Sequence, residues 1–209
     1  MPYMDEPKPD AAKMKLPGPP FKVRPGQVLD LEGVAIQSAR LILRPVSLDY
    51  AGDIFAEFTP DITRYLMTQA SGKLEDTVAF IEKAVAGRRA GRDLAVVILS
   101  RAHGEFLGAG GIHSLARVQE PSLGIWLKKS AHGHGYGREA VGALCAWAGE
   151  HLDYRALNYD VDRANTPSRM IAESLGGTIV AEQRLPRTTG GFLDSLLYRI
   201  PIAPRVGTK

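Results

Sequence analysis

Cysteine is almost missing from this chain: Cys145 is the only one in 209 residues. A single thiol excludes an internal disulfide framework and a cysteine-rich zinc site, and no metal centre is expected. Long hydrophobic runs are missing too. Stretches such as Leu94–Leu99 and Ile125–Leu127 fall far short of the ~20 residues that span a bilayer. The first residues, MPYMDEPKPD, place acids and prolines where a signal peptide needs an apolar run, so a cytoplasmic protein is expected. Charge of one sign is scarce: the net charge is +3. That surplus suits an anionic ligand and argues against nucleic acid as partner. What is present, 44% hydrophobic and 23% charged residues, is the make-up of a globular protein of one or two domains.

Proline is unevenly spread. Pro2, Pro7, Pro9, Pro17, Pro19, Pro20 and Pro25 account for half of the 14. Proline fixes φ and lacks an amide donor, so this stretch cannot build a helix or a central strand. Residues 1–33 are therefore expected to be an extended or disordered arm, and residues 34–209 one domain. The arm's charges cancel, which leaves the +3 to the domain.

Periodicity sketches that domain. Arg40–Arg44 alternates and meets Pro45, which predicts a first strand. Ser47 is expected to cap a helix, and Thr59-Pro60-Asp61 reads as another helix start. Leu74, Val78, Ile81 and Val85 predict an amphipathic helix over Leu74–Arg89, with Arg88 and Arg89 solvated at its end. Leu94–Ser100 and Glu105–His113 form a hairpin around Ala102-His103-Gly104. A strand at Ser122–Lys128, a helix over about Arg138–His151 and a strand at Ala156–Asp162 follow. A helix over about Thr166–Leu175 and strands near Ile179–Arg184 and Phe192–Ile200 complete the chain. This order predicts a mixed α/β (α+β) fold with a partly antiparallel sheet and helices on its faces.

The informative segment is Ser122–Ala140, SLGIWLKKSAHGHGYGREA. An apolar strand enters a loop with Gly133, Gly135 and Gly137, and a helix starts at once. Glycines let backbone amides approach an anion, and the helix adds free amides and a positive dipole end. Lys128, Lys129, His132, His134 and Arg138 surround this cradle with positive charge. The spacing matches neither the G-x-x-x-x-G-K-[ST] loop nor the G-x-G-x-x-G fingerprint.

His132-Gly133-His134-Gly135-Tyr136-Gly137 resembles the cofactor loop R/Q-x-x-G-x-G/A of the GNAT acyltransferases, with His132 standing where Arg or Gln is usual. Arg40-Leu41-Ile42-Leu43-Arg44-Pro45 resembles the family's first strand, Gly108–Gly111 its glycine-bearing third strand, and Asn165-Thr166-Pro167-Ser168 with Gly176 the segment after its fifth strand. The resemblance covers roughly residues 34–202, and is strongest to the branch that acetylates ribosomal-protein N-termini.

That resemblance implies a mostly antiparallel central sheet splayed between its fourth and fifth core strands. It implies acetyl-CoA as acyl donor and direct transfer to a primary amine, on a protein or peptide N-terminus or a small molecule. The pantetheine arm would run along the backbone of Ile125, Trp126 and Leu127. The pyrophosphate would lie on His132, Gly133, His134, Gly135, Tyr136, Gly137 and Arg138, and Asn165 would hydrogen-bond the pantetheine arm. Ser168 is expected to protonate the leaving thiolate, because Ala172 occupies the position where many relatives carry a tyrosine. Glu120 is expected to act as base through a water, since Ser122 stands where a strand glutamate is common; His113 is a second candidate. Asp160 and Asp162 share one face of a strand that would line the acceptor cleft, which suits them either to hold a cationic amine or to be solvated. Ser122 and Ala172 together motivate the alternative of a CoA-binding sensor or interaction module with impaired catalysis. Either a monomer or a homodimer fits, and Pro186–Gly191 reads as a loop over the site.

Overall fold

The computed structural model describes residues 18–26, 28–115 and 119–202. The elements run β1 (Ile36–Gln37), β2 (Leu41–Pro45), α1 (Ala51–Glu57), α2 (Pro60–Thr63), α3 (Leu74–Arg89), β3 (Asp93–Ser100), β4 (Phe106–His113) and β5 (Ser122–Leu127). They continue as α4 (Tyr136–His151), β6 (Ala156–Asp162), α5 (Thr166–Ser174), β7 (Thr178–Pro186) and β8 (Phe192–Pro201). The strands form one sheet, ordered β1-β2-β3-β4-β5-β6-β8-β7. Only β5 and β6 pair in parallel; every other pairing is antiparallel. The mostly antiparallel sheet expected from the sequence is the one that forms.

β3 shows why the sheet carries helices on both sides. Its run DLAVVILS is buried from Leu94 to Ser100, as a strand covered on both faces must be. Leu94, Val96 and Ile98 join the larger core, with Val141, Leu144 and Ala148 of α4. Ala95, Val97 and Leu99 join a second core, with Ile54 of α1 and Ile81 and Ala84 of α3. Each fully buried aliphatic side chain contributes about 1.5–3 kcal/mol. Glycines bring β4 close to its neighbours: a Cβ on Gly111 would stand 2.4 Å from the Leu94 carbonyl oxygen.

β5 and β6 pair over only two positions, Ser122 with Asn158 and Leu123 with Tyr159, and one further bond runs from the Asn158 amide to the Pro121 carbonyl. Beyond Leu123 the strands part. β5 stays in register with β4 as far as Leu127 against Gly108, so it is β6, with β8 and β7 behind it, that swings away. The splay lies between the fourth and fifth core strands, as the resemblance implied.

Several local expectations are corrected. Ser47 precedes a short 3-10 turn, Leu48–Tyr50, and its hydroxyl donates to Asp49 Oδ2 instead of capping a backbone amide. Helix α4 starts at Tyr136, because Gly135 already takes the left-handed cap conformation with φ of 78°. Arg88 is not solvated: it is 9% exposed, and its guanidinium donates to Glu32 Oε2 and to the Val46 carbonyl. That contact ties the arm to the domain. Of the described residues before β1, Phe21 and Leu31 are buried in the larger core. The Phe21 amide donates to Gly91, and the Arg24 amide to His151. Residues 1–17 of the arm lie outside the described residues.

Candidate active site

The splay leaves the middle of β5 with free backbone groups. Lys128 donates its amide to Leu107 on β4, so even-numbered residues turn their backbone groups toward β4 and odd-numbered ones toward β6. Leu123 is the last odd residue with a β6 partner. The backbone groups of Ile125 and Leu127 therefore face the gap. Side chains alternate in the same way: Ile125 and Leu127 pack on the α4 side, while Trp126 points to the other face. There the Trp126 ring meets Phe58 edge-on, with centroids 5.1 Å apart, and Phe106 at 5.9 Å. Only the backbone of Trp126 borders the α4 side of the gap.

The glycine loop ends at the mouth of the gap. Gly133 and Gly135 both adopt left-handed φ of 78°. A Cβ at Gly133 would meet nothing within 4 Å, and one at Gly135 would meet only Arg40 Nη2 at 3.5 Å. Helix α4 has no side-chain cap, so the amides of its first turn are left to a ligand or water. A first-turn acid, Glu139, accepts from the Ser38 hydroxyl and the Arg40 amide, both at 2.7 Å. The Arg40 guanidinium also pairs with Glu139, donates to the His134 carbonyl at 3.0 Å and lies 4.7 Å over the Tyr136 ring. Burial alone would raise the Glu139 pKa, but these donors outweigh it and hold the carboxyl below the ordinary glutamate value. Sequence reading missed this brace. The signal that could have found it is an acid at a helix start facing an arginine on the first strand.

The basic residues around the loop are distributed unevenly. His132 is exposed, but its Nε2 lies 3.0 Å from the Leu127 carbonyl, so that nitrogen is engaged with β5. Lys128 pairs with Glu105 and Lys129 with Asp61. Gly133, His134, Gly135 and Arg138 are exposed, with Arg138 on the first turn of α4. The positive field at the loop comes from the helix amides and Arg138 more than from the lysines.

On the α4 side, Asn165 caps α5 by accepting from the Ser168 amide at 3.3 Å. The Ser168 hydroxyl lies 2.7 Å from the Tyr159 hydroxyl. Tyr159 is 4% exposed, and burial pushes its pKa up, although Ser168 offsets part of the rise. Tyr159 pairs with Leu123 at the last joined position, so two neutral hydroxyls meet where the strands part. Tyr159 is a site residue that the sequence reading passed over, because a phenol in a buried strand reads as core. Cys145 lies on α4 near this pair; burial pushes its thiol up to about 12, which keeps it protonated and poorly nucleophilic.

The residues expected to handle the amine proton fall elsewhere. Glu120 precedes β5 at the closed end of the splay, and its Oε1 is engaged by the Arg199 guanidinium. That ion pair is what the structure shows for Glu120, a carboxylate held by a guanidinium. His113 Nδ1 lies 3.1 Å from Asp93 Oδ1, at the end of β4.

The acetyltransferase (GNAT) domain pattern matches residues 40–178. The chain belongs to the GNAT acetyltransferase family. No curated protein matches it by sequence. Among solved structures, an acetyltransferase from Agrobacterium tumefaciens is 26% identical at a TM-score of 0.65, over 83% of this chain and 97% of that one. A Salmonella typhimurium acetyltransferase that modifies the N-terminal serine of ribosomal protein L7/L12 is 18% identical at a TM-score of 0.70, over 81% of this chain and 99% of that one. The L7/L12 alpha-N-protein acetyltransferase RimL, in complex with coenzyme A, is 17% identical at 0.70, over 81% and 98%. The matched GNAT region contains the glycine loop, the splay and the Asn165–Ser168 turn. No helix among the described residues is long and apolar enough to cross a membrane.

Proposed function

We propose that this GNAT protein transfers the acetyl group of acetyl-CoA directly to a primary amine, on a peptide or protein N-terminus or a small molecule. The observation that carries the reading is an uncapped, glycine-entered helix N-terminus at the mouth of a gap in the sheet. Backbone amides are the groups that hold a pyrophosphate, and a strand with unpaired backbone groups suits an amide-bearing pantetheine arm. The residues present fit that donor.

Each residue then has a role. Amides from Gly133 to Gly137 hold the pyrophosphate, with Arg138 and His134 at its rim. Backbone groups of Ile125 and Leu127 line the pantetheine arm beside Trp126, and His132 fixes the end of β5. Asn165 caps α5 through Oδ1 and keeps its amide nitrogen for the same arm. Ser168 holds a proton for the departing thiolate, and Tyr159 orients that hydroxyl. Preorganised amides along β5 stabilise the oxyanion, and most of the rate comes from placing amine and thioester together. Nothing in this scheme uses Cys145. A peptide amine acceptor accords with the activity of the L7/L12 acetyltransferases. The protein acts in the cytoplasm as a monomer or homodimer.

Calorimetry with acetyl-CoA, followed by CoA release against an amine panel, tests the reading. Saturable binding with release is expected. Binding without release for any amine would instead favour a CoA-binding sensor, and no binding would end both readings.

A further inference from the structure

The sheet face opposite α4 holds the other half of the gap. The Ser122–Asn158 and Leu123–Tyr159 register, carried forward, sets Asp160 across the gap from Gly124, and Asp162 across it from Trp126, on the same face of the sheet. Gly124 sits in a central strand, yet a Cβ built on it would meet nothing within 4 Å. Central strands of a two-sided sheet are normally covered. An open slot therefore lies on the sheet next to Asp160. The turn after β7 is tied to the segment between α2 and α3: the Thr188 amide donates to the Met67 carbonyl at 3.0 Å, and the Gln69 amide to the Thr188 hydroxyl at 3.1 Å.

Asp160 differs from the other acids on this face. Asp162 has Arg187 Nη2 at 3.8 Å from its Oδ2, and its Oδ1 accepts from the Ala164 amide. Glu120 has Arg199. Asp160 has only neutral partners, Gln183 on β7 and Ser195 on β8, and both donate to Oδ1. Oδ2 carries no hydrogen bond among the described residues and is not sealed from solvent. One oxygen is anchored and the other is free beside an open slot.

We propose that Asp160 receives the acceptor as a primary ammonium group and takes its proton through Oδ2. The proposal rests on the acetyltransferase reading above and adds to it the group that prepares the nucleophile. The ammonium gives one proton to Oδ2, which leaves a lone pair on nitrogen. That pair forms the N–C bond as the C–S bond breaks. The nitrogen's second lost proton balances the thiolate, and Asp160 releases its own proton to solvent. Burial raises the pKa of Asp160 and the Gln183 and Ser195 donors only partly offset it, which makes this carboxylate a stronger base than an ordinary aspartate. The groups shown around Asp160 are neutral: Leu197, paired with it on β8, Ser195 of β8 and Gln183 of β7. The charged groups on β6 and its neighbours are paired with one another: Asp162 with Arg187, Glu120 with Arg199, Glu182 with Arg163 and Asp194 with Arg184.

The test compares wild type with Asp160→Asn, which keeps an oxygen for Gln183 and Ser195 but places an NH2 group where Oδ2 was. The probes are acetyl-CoA and a panel of serine-, alanine- and methionine-led peptides, spermidine and tyramine. Asp160→Asn should bind acetyl-CoA as wild type does and lose about 100-fold or more in kcat/KM for whichever amine wild type uses best. Its pH profile should lack the acidic limb of wild type, which Asp160→Glu should retain. Gln183→Leu removes the main donor that favours the ionised form, so its acidic limb should move to higher pH. A readout independent of turnover comes from stability. A raised folded-state pKa costs wild type stability as pH climbs from the ordinary aspartate range through that raised value. Asp160→Asn should therefore melt no lower than wild type at pH 7, whereas removal of a merely structural aspartate would lower Tm. An Asp160→Asn enzyme that binds acetyl-CoA and turns over within threefold of wild type across the pH range overturns the role of Asp160 alone. A wild type that does not bind acetyl-CoA overturns the transferase reading together with it.

Discussion

The two sides of the β5–β6 gap are built on different principles. On the α4 side, the anion cradle is made of backbone: glycines in left-handed conformations, an uncapped helix start and a strand with no neighbour. On the opposite side, open space over Gly124 of β5 is joined by side chains of β6, β7 and β8, Asp160 with Gln183 and Ser195. A backbone cradle is the same for every protein that must hold the same pyrophosphate. A side-chain slot can change with its acceptor while the sheet stays fixed. On the function proposed above, the backbone half is the donor side and conservative in design, and the side-chain half is where acceptor specificity would reside.

Mutations can set the halves against each other. The largest effect is expected from Gly135→Val. A β-branched residue forced to φ of 78° is strained by about 1–3 kcal/mol and re-aims the loop amides. Acetyl-CoA affinity by calorimetry should fall about 10- to 100-fold, consistent with that strain. Next comes Ser168→Ala. It should lower kcat about 10- to 100-fold, at the low end of what proton transfer contributes, while acetyl-CoA affinity stays near wild type. Tyr159→Phe should follow with a smaller loss, because it only orients Ser168. An equal loss of acetyl-CoA affinity in either variant would move those hydroxyls into donor binding.

Arg40→Ala should be milder still: the brace is half exposed, and acetyl-CoA affinity should drop a few-fold, in the ~1 kcal/mol range of such surface pairs. The same brace has a pH signature. The Glu139 pKa is lowered on folding, so its stabilising contribution is present above the ordinary glutamate value and is lost as pH falls through that range. Melting curves from pH 7 to pH 3 should show a smaller acid-induced loss in Glu139→Gln than in wild type. The smallest effect belongs to Cys145→Ala, which should leave turnover unchanged. In wild type, a thiol pushed up to about 12 should resist iodoacetamide at pH 8 until the protein unfolds.

The legibility of the sequence follows the same division. The loop His132–Gly137 could be read because glycine spacing is local, and α3 because Leu74, Val78, Ile81 and Val85 repeat at helical period. Neighbouring strands of the sheet were placed by order alone. For Glu120, parity along a strand could not show which end of a splay it occupies or that Arg199 pairs with it; only the β5–β6 register and that ion pair show both. Tyr159 was passed over and Arg88 misread for one reason: a buried polar side chain looks like core or like surface until its partner is known, and their partners lie 9 and 56 residues away. The open space over Gly124 could not be read at all, since a glycine in a strand gives no hint of what fails to cover it.

The two-residue seam between β5 and β6 has a mechanical consequence. The sheet is one continuous ribbon in sequence of strands, yet across this seam it is joined at one end only, like a hinge with its leaves apart. Separating the leaves costs few hydrogen bonds, while shearing β3 from β4 would break a full ladder. Amide protons of Ile125 and Leu127 should then exchange with deuterium far faster than those of Val96 and Ile98, although all four lie in the interior strands of the sheet. A bound donor that fills the gap should close that difference.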